Sequence, residues 1–369
     1  MKGLISSMAT SIRRLITDPA ARATMIASII IYAVIYPQPY KSEVTRDVPI
    51  VVVDQDGSNA SRELIRRINS SDKVQVVSIV NNFLEAKTLF FERNVVGVLM
   101  IPAHFERDLI DGKPSPVAAY GDAGYFLLYN AMMGAVVQAT RSIGADVEYV
   151  RLTSSGINPE IANTVISPIT NTSIALYNPS GGYATYVIPA AFVLIVQQSF
   201  LMGIGILHAG RKPLKGVELL AAPLAYIAIY CLWIAVTQIL LPFLYGIPRL
   251  GTWLNLYCVA IPFLLAVTAL GFAISQVFKE REGVVFFLVV MGLPLFFLSG
   301  ISWPMESIPE PIRLIALLIH STTAISAFVQ VDQMEAGFNE VADSILIELA
   351  LAVGYTILAL CLMKLGQKK

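Results

Sequence analysis

An aspartate at the end of an apolar run, a second aspartate two positions on and then a glycine can bring a carboxylate nucleophile to a phosphoryl group. Asp54 and Asp56 stand in that arrangement in VVVDQDGS, residues 51–58. The chemistry also needs a second acidic cluster for Mg²⁺ and a lysine to tie nucleophile to phosphate. Gly121-Asp122 offers the start of such a cluster, but Ala123–Leu128 add no acid, and Lys87 and Lys113 belong to no motif. A strand ending in Asp before a Gly-containing turn is equally an ordinary βα connection. Asp54 and Asp56 are therefore expected to shape a turn.

Other reactive constellations are missing. His104, His208 and His320 are far apart in sequence and form no metal-ligand spacing. Cys231, Cys258 and Cys361 all lie in apolar runs, which argues against a disulfide framework. No Gly-x-x-x-x-Gly-Lys-Ser/Thr phosphate loop and no nucleophile elbow occurs. Catalytic residues, a metal and a cofactor are not expected in this chain. What stands out instead is polarity within apolar segments: Gln197, Gln198, Gln238 and Glu348. Polar groups in hydrocarbon are costly unless satisfied. The glutamines read either as the lining of a translocation path or as interhelical hydrogen-bond formers. Glu348 reads either as path lining or as a carboxylate near the membrane surface.

The elements that hold these residues follow from hydropathy. The 369-residue chain is 56% hydrophobic and only 14% charged, where soluble domains are nearer a quarter charged. A zero formal net charge gives no argument for nucleic acid, and no nucleic-acid partner is expected. No short apolar run with a small-residue cleavage site opens the chain, so a cleaved leader is not expected. Stretches near the roughly 20 residues needed to span a bilayer are Ala20–Tyr36, Thr185–Leu207, Leu219–Tyr245, Trp253–Phe278, Gly283–Ile301 and Asp343–Met363. The first is short, and Arg22 near its start would have to snorkel. Pro189, Pro223, Pro242, Pro262 and Pro294 punctuate the rest, as kinks or first-turn residues.

Lysines and arginines set the orientation. Lys2, Arg13, Arg14, Arg211, Lys212, Lys215, Lys279 and Lys364 share one side, while the opposite short loops hold little beyond Arg249 and Arg313. Both termini are thus expected in the cytoplasm. Residues 1–17 read as an amphipathic interfacial helix and 18–39 as the first membrane helix. Residues 40–180 read as an extracytoplasmic α/β domain, and 181–369 as five further helices. In 40–180, strands are expected at Pro49–Val53, Val74–Ile79, Val95–Ile101 and Pro116–Tyr120. Helices are expected at Ser61–Ile68, Leu84–Glu92 and about Tyr125–Leu152, and an extended return at Val165–Leu176. Residues 299–331 are too apolar for a solvent loop, and Pro304, Pro309 and Pro311 forbid one span. A hairpin of short helices dipping into the outer leaflet is expected there.

The fold class is therefore a polytopic α-helical membrane protein with six transmembrane helices and an α/β domain inserted between the first and second. Three stretches carry a resemblance to the permease subunit of type-2 ABC exporters, in the subgroup with a large extracytoplasmic domain. They are VVVDQDGSNASREL (51–64), YGDAGYFLLYN (120–130) and the Pro-bounded SGISWPMESIPEPIRLIALLIHSTTAI (299–325). In HAGRKPLKGVELLAAPL (208–224), Gly216, Glu218, Leu220 and Pro223 fit the family's coupling segment, while Arg211, Lys212 and Pro213 stand where its acidic start would be. The resemblance implies a plasma (inner) membrane efflux permease acting as a dimer of identical or paralogous subunits. A separate ATPase would bind ATP and Mg²⁺. It implies ATPase coupling at Arg13, Arg14, His208, Arg211, Lys212, Lys215, Gly216 and Glu218. It also implies an outer hairpin marked by Pro304, Met305, Glu306 and Pro309, contact with membrane lipids, and room for a periplasmic adaptor. The alternative is a membrane-anchored receptor or scaffold whose extracytoplasmic domain binds a ligand or envelope protein.

Overall fold

The computed structural model describes residues 2–41, 44–169, 172–179, 181–303 and 305–366. The chain divides into two compact units, one of residues 1–43 with 175–369 and one of Val44–Ile174.

Helix α1 (Lys2–Thr17) turns Leu4, Met8, Ile12 and Leu15 inward at helical spacing, and Leu15 is fully buried. Asp18 ends it and caps the next helix, accepting the N–H groups of Ala20 and Ala21 at 3.1 and 3.2 Å. The first span, Pro19–Tyr40, is longer than the apolar run alone indicates. Within it, α2 (Pro19–Arg22) and α3 (Ser28–Ile35) are joined by a π-helical turn, Ala23–Ala27. Arg22 folds back to donate to the Ile16 carbonyl at 3.2 Å.

The inserted unit holds β1 (Val48–Asp54), α4 (Asn59–Asn69), β2 (Val74–Val80), α5 (Phe83–Phe91), β3 (Gly97–Ile101), α6 (Phe105–Ile110), β4 (Ala118–Gly121), α7 (Phe126–Ser154) and α8 (Pro159–Ile166). The sheet order is β2-β1-β3-β4, with β1 parallel to both neighbours and β4 antiparallel to β3. Strand alternation sorts β1 between two cores. Val48, Ile50 and Val52 pack under α4 and α7, and Val51 and Val53 under α5. Helices α6 and α8 were not expected from the pattern. Val165 and Ile166 close α8, so the expected extended return is helical at its start.

Asp54 and Asp56 are both spent on local structure. One oxygen of Asp54 accepts the N–H groups of Asp56 and Gly57, and the other accepts the Ser61 hydroxyl at 2.8 Å. Asp56 accepts the Glu106 N–H at 3.0 Å. This is a turn that joins β1 to α4 and ties in the start of α6.

The membrane unit continues with α9 (Tyr183–His208), α10 (Glu218–Ala235), a π-helical turn at Val236–Leu240, α11 (Leu241–Tyr245), α12 (Trp253–Val277), α13 (Arg281–Leu298), α14 (Glu310–Ala316), α15 (His320–Met334) and α16 (Ala342–Gly366). Among the described residues six helices are long and apolar enough to cross a membrane, within two residues of the expected ends at all but the first and fifth. Helix α9 is the hub, buried along most of its length against α12, α13, α15 and the first span. Two glycines allow the close approach: a Cβ at Gly203 would meet Met25 at 2.1 Å, and one at Gly205 would meet Val284 at 2.3 Å. The first span and α13 bury little of their surface.

Candidate functional site

A groove of about 590 Å³ runs between the first span, α9 and α13. Its wall is apolar apart from Thr24, Ser28, Tyr32, Tyr36, Gln198 and Ser199, and no charged side chain lines it. The π-helical turn at Ala23–Ala27 widens the first span at the groove, and Pro294 interrupts α13 opposite. Gln198 faces Gly292 of α13, and neither atom of its amide has a hydrogen-bond partner. An amide with both donor and acceptor free, in an uncharged wall, can recognise a neutral or amphiphilic molecule by hydrogen bonds alone.

The other three polar residues of the spans lie away from this groove. Gln197, one position earlier and so about 100° around the helix, is fully buried and unpartnered. Gln238 sits in the π-helical turn of the third span and donates to the Pro189 carbonyl at 3.1 Å, an interhelical bond. Glu348 is 1% exposed, enclosed by α12 and α15.

A second polar region surrounds the start of the first span. Arg14 donates to the Leu207 carbonyl at 2.9 Å, satisfying one of the last carbonyls of α9. Arg13, Arg211, Lys212, Lys215, Gly216 and Glu218 are exposed. His208 is not: its Nε2 lies 3.1 Å from the Tyr226 hydroxyl and its ring 4.8 Å from Phe272. It anchors α9 to α10 and α12 inside the fold. Asp18 is the residue the sequence reading missed. Its second oxygen lies 3.8 Å from Arg211 and 3.6 Å from Arg281, gathering the basic loop and the start of α13 around the α1–α2 junction. The N-cap signal Asp18-Pro19 was there to be read. Gly210 brings the loop against the one before α13, with Lys279's carbonyl 2.0 Å from where a Cβ would stand.

Of the hairpin residues, Pro304 lies outside the described residues. Met305 and Glu306 form a 3₁₀ turn, Pro309 precedes α14, and α14 and α15 meet at 83°. That is a bent pair of helices, broken at residues 317–319, while Pro309 and Pro311 stand at the start of α14 and not at the bend. The end of α15 is fastened by Asp332, which pairs with Arg249 at 2.7 Å. Among the described residues no group of three or more His, Cys, Asp or Glu side chains could hold a metal.

Two comparisons bear on this arrangement. The model of the family described as ABC-2 family transporter protein matches residues 22–361. The chain is also 21% identical over 314 residues to the protein named "Probable multidrug ABC transporter permease YbhR" from Escherichia coli strain K12, covering 81% of each chain. The protein of that name from E. coli O157:H7 matches equally. With the family match running from the first span almost to the end of the sixth, the chain belongs to the ABC-2 family of transporter proteins and is a multi-pass membrane permease.

Proposed function

We propose that this permease forms the translocation path of an ATP-driven exporter as one of two subunits, a second copy or a paralogue. A separate ATPase would bind ATP and Mg²⁺ and supply the energy. The observation that carries the reading is the groove at the first span, α9 and α13. Its two outer helices bury little, so a second subunit laid against them would turn an open groove into an enclosed path. Gln198 then faces the path, and hydrophobic or amphiphilic molecules are the cargo its wall suits. The multidrug name of the E. coli relatives accords with that cargo.

In this reading the protein sits in the plasma (inner) membrane with both termini in the cytoplasm. Residues 40–180 lie outside, where a periplasmic adaptor could dock. The exposed basic loop, with Arg211, Lys212, Lys215, Gly216 and Glu218, together with Arg13, contacts the ATPase. Arg14 and Asp18 pass its motion to α9 and the first span. The outer hairpin at 299–331 borders the exit.

Cysteines replacing Ile31 and Leu293, both exposed on the outer helices, should cross-link copies in native membranes, and an ATPase with a phosphate loop should co-purify. Gln198→Leu should reduce transport about tenfold, the equivalent of ~1.4 kcal/mol, with insertion unchanged. An uncross-linked, partnerless protein would overturn the reading.

A further inference from the structure

Among the described residues of the membrane unit, Glu348 and His320 are buried titratable residues with neither an ionic partner nor a side-chain hydrogen-bond partner. Both lie where α15 packs against α16. His320 opens α15 just after its 83° break from α14, and no side chain caps that helix end. Glu348 lies in α16 and faces the backbone N–H of Ala324, one turn along α15 from His320. Tyr355, two turns beyond Glu348 on α16, brings its ring to 6.0 Å from the His320 ring. The hydroxyls of Ser321 and Thr323, also buried, are unpartnered in the same turn of α15. Five polar side chains thus lie on the first turns of α15 and the stretch of α16 beside them, and four have unspent hydrogen-bonding groups.

The charge count decides what this pocket needs. A carboxylate beside a neutral imidazole leaves one net negative charge in an apolar interior, which is costly. One added proton, on either group, makes the pocket neutral. No other group can balance it. Helix α12 offers Phe263 against His320, and its Tyr257 hydroxyl is given to the Cys231 carbonyl. The Tyr355 hydroxyl is given to the Leu318 carbonyl. From α9, Tyr186 is bonded to the Gly300 and Ile301 carbonyls and His208 to Tyr226. Asp332, twelve residues along α15, is paired with Arg249. Glu310 and Arg313 on α14, and Asp343 and Lys364 on α16, are exposed. The groove described above is not lined by Glu348 or His320.

We propose that Glu348 and His320 bind one proton between them, and that its gain or loss sets how the α14–α15 elbow seats on α16. With the proton bound, carboxyl, imidazole and the Ser321 and Thr323 hydroxyls can form a neutral hydrogen-bonded cluster. Without it, the carboxylate is left with the α15 backbone and the hydroxyls as its only support, and the elbow loosens towards water. This proposal depends on neither the dimer nor the ATPase.

The test uses the purified full chain in nanodiscs, followed by difference infrared spectroscopy as pH is varied. Wild type should show the carbonyl band of a buried protonated carboxyl that appears and disappears with pH. Glu348→Gln should abolish it. His320→Gln should displace the transition by more than about one pH unit, the mark of two groups titrating as one. Hydrogen exchange at 310–325 should change across the same pH interval in wild type and not in Glu348→Gln. A band that survives Glu348→Gln, a transition indifferent to His320→Gln, or the absence of any such band would each overturn the proposal. His320→Gln gives the test a second arm should Glu348→Gln fail to fold.

Discussion

Gln333, near the end of α15, donates its side-chain amide to the carbonyl of Thr185 in α9. Four residues on, Pro189 has no N–H, so the helix itself cannot satisfy that carbonyl. The hairpin is thereby tied to the central helix at the point where a proline opens it. Gln238 serves the Pro189 carbonyl in the same neighbourhood.

Replacing Gln333 by Leu should therefore lower thermal stability in detergent by about 1 kcal/mol, the scale of interhelical hydrogen bonds in membranes. Adding Pro189→Ala should recover most of the loss, because alanine restores the missing N–H. If the double variant is no more stable than Gln333→Leu, the amide matters for packing and not for the Thr185 carbonyl.

The Arg249–Asp332 pair is a stronger fastening, because Asp332 is almost wholly buried and its own carbonyl accepts the N–H of Leu250 at 2.8 Å. Asp332→Ala should cost about 3–5 kcal/mol by leaving a partly buried guanidinium unpaired. Arg249→Met with Asp332→Leu should cost much less. Unfolding of the reconstituted protein by denaturant would distinguish the two; equal losses would show that the pair is not the main fastening.

Two glycines in the basic loop make a matched comparison. Both have positive φ, +66° at Gly210 and +56° at Gly216, but only Gly210 is pressed against a neighbour. Gly216→Ala should cost the left-handed strain alone, about 1–2 kcal/mol. Gly210→Ala must in addition push the Lys279 carbonyl away, parting the loop from the start of α13. Membrane insertion should survive both, and ATPase stimulation should fall well below that of Gly216→Ala in Gly210→Ala. Equal effects would remove the loop-to-loop contact from the coupling route.

The inserted unit carries an acid-sensitive turn. Arg66 and Arg67 hydrogen-bond Glu63 and hold its carboxyl at about 2, against an ordinary 4.5. Asp56 is also held below its ordinary 3.8. Its slight burial works the other way but is outweighed by bonds from Ser58 and from the N–H groups of Glu106, His104 and Phe105. With folded values below unfolded ones, these groups stabilise the unit fully above about pH 4.5, and the contribution fades as pH falls towards 2. Hydrogen exchange on the full chain should show β1, α4 and α6 losing protection across that window. In Asp56→Asn with Glu63→Gln the acid-dependent part should shrink; an unchanged acid profile would place the sensitivity elsewhere.

Much of the architecture was legible in the chain because it depends on near neighbours in sequence. The span from Trp253 to Val277 is set by unbroken apolarity, and the alternation of Val48 to Val53 between two cores by the strand period of two. Pro309 and Pro311 mark the start of α14, but its break from α15 at residues 317–319 carries no proline signal. The sites were less legible because they are made by distant pairs. Gln197 and Gln198 are alike in sequence, yet helical rotation sends one into the packed interior and the other to the groove. His208 reads as a loop residue until Tyr226 and Phe272 enclose it.

By itself, then, the sequence determined that this is a polytopic membrane protein with an α/β domain inserted after its first span. Hydropathy, helix and strand periods, and turn chemistry are local properties. Only the tertiary structure decided which polar groups are spent and which are free. Asp54 closes a turn, Gln238 meets a carbonyl across helices, and Asp18 gathers two basic loops. Glu348 and His320 are buried without side-chain partners where α15 packs on α16. In an apolar interior a polar group's role is fixed by the partner it meets, and that partner comes from another helix.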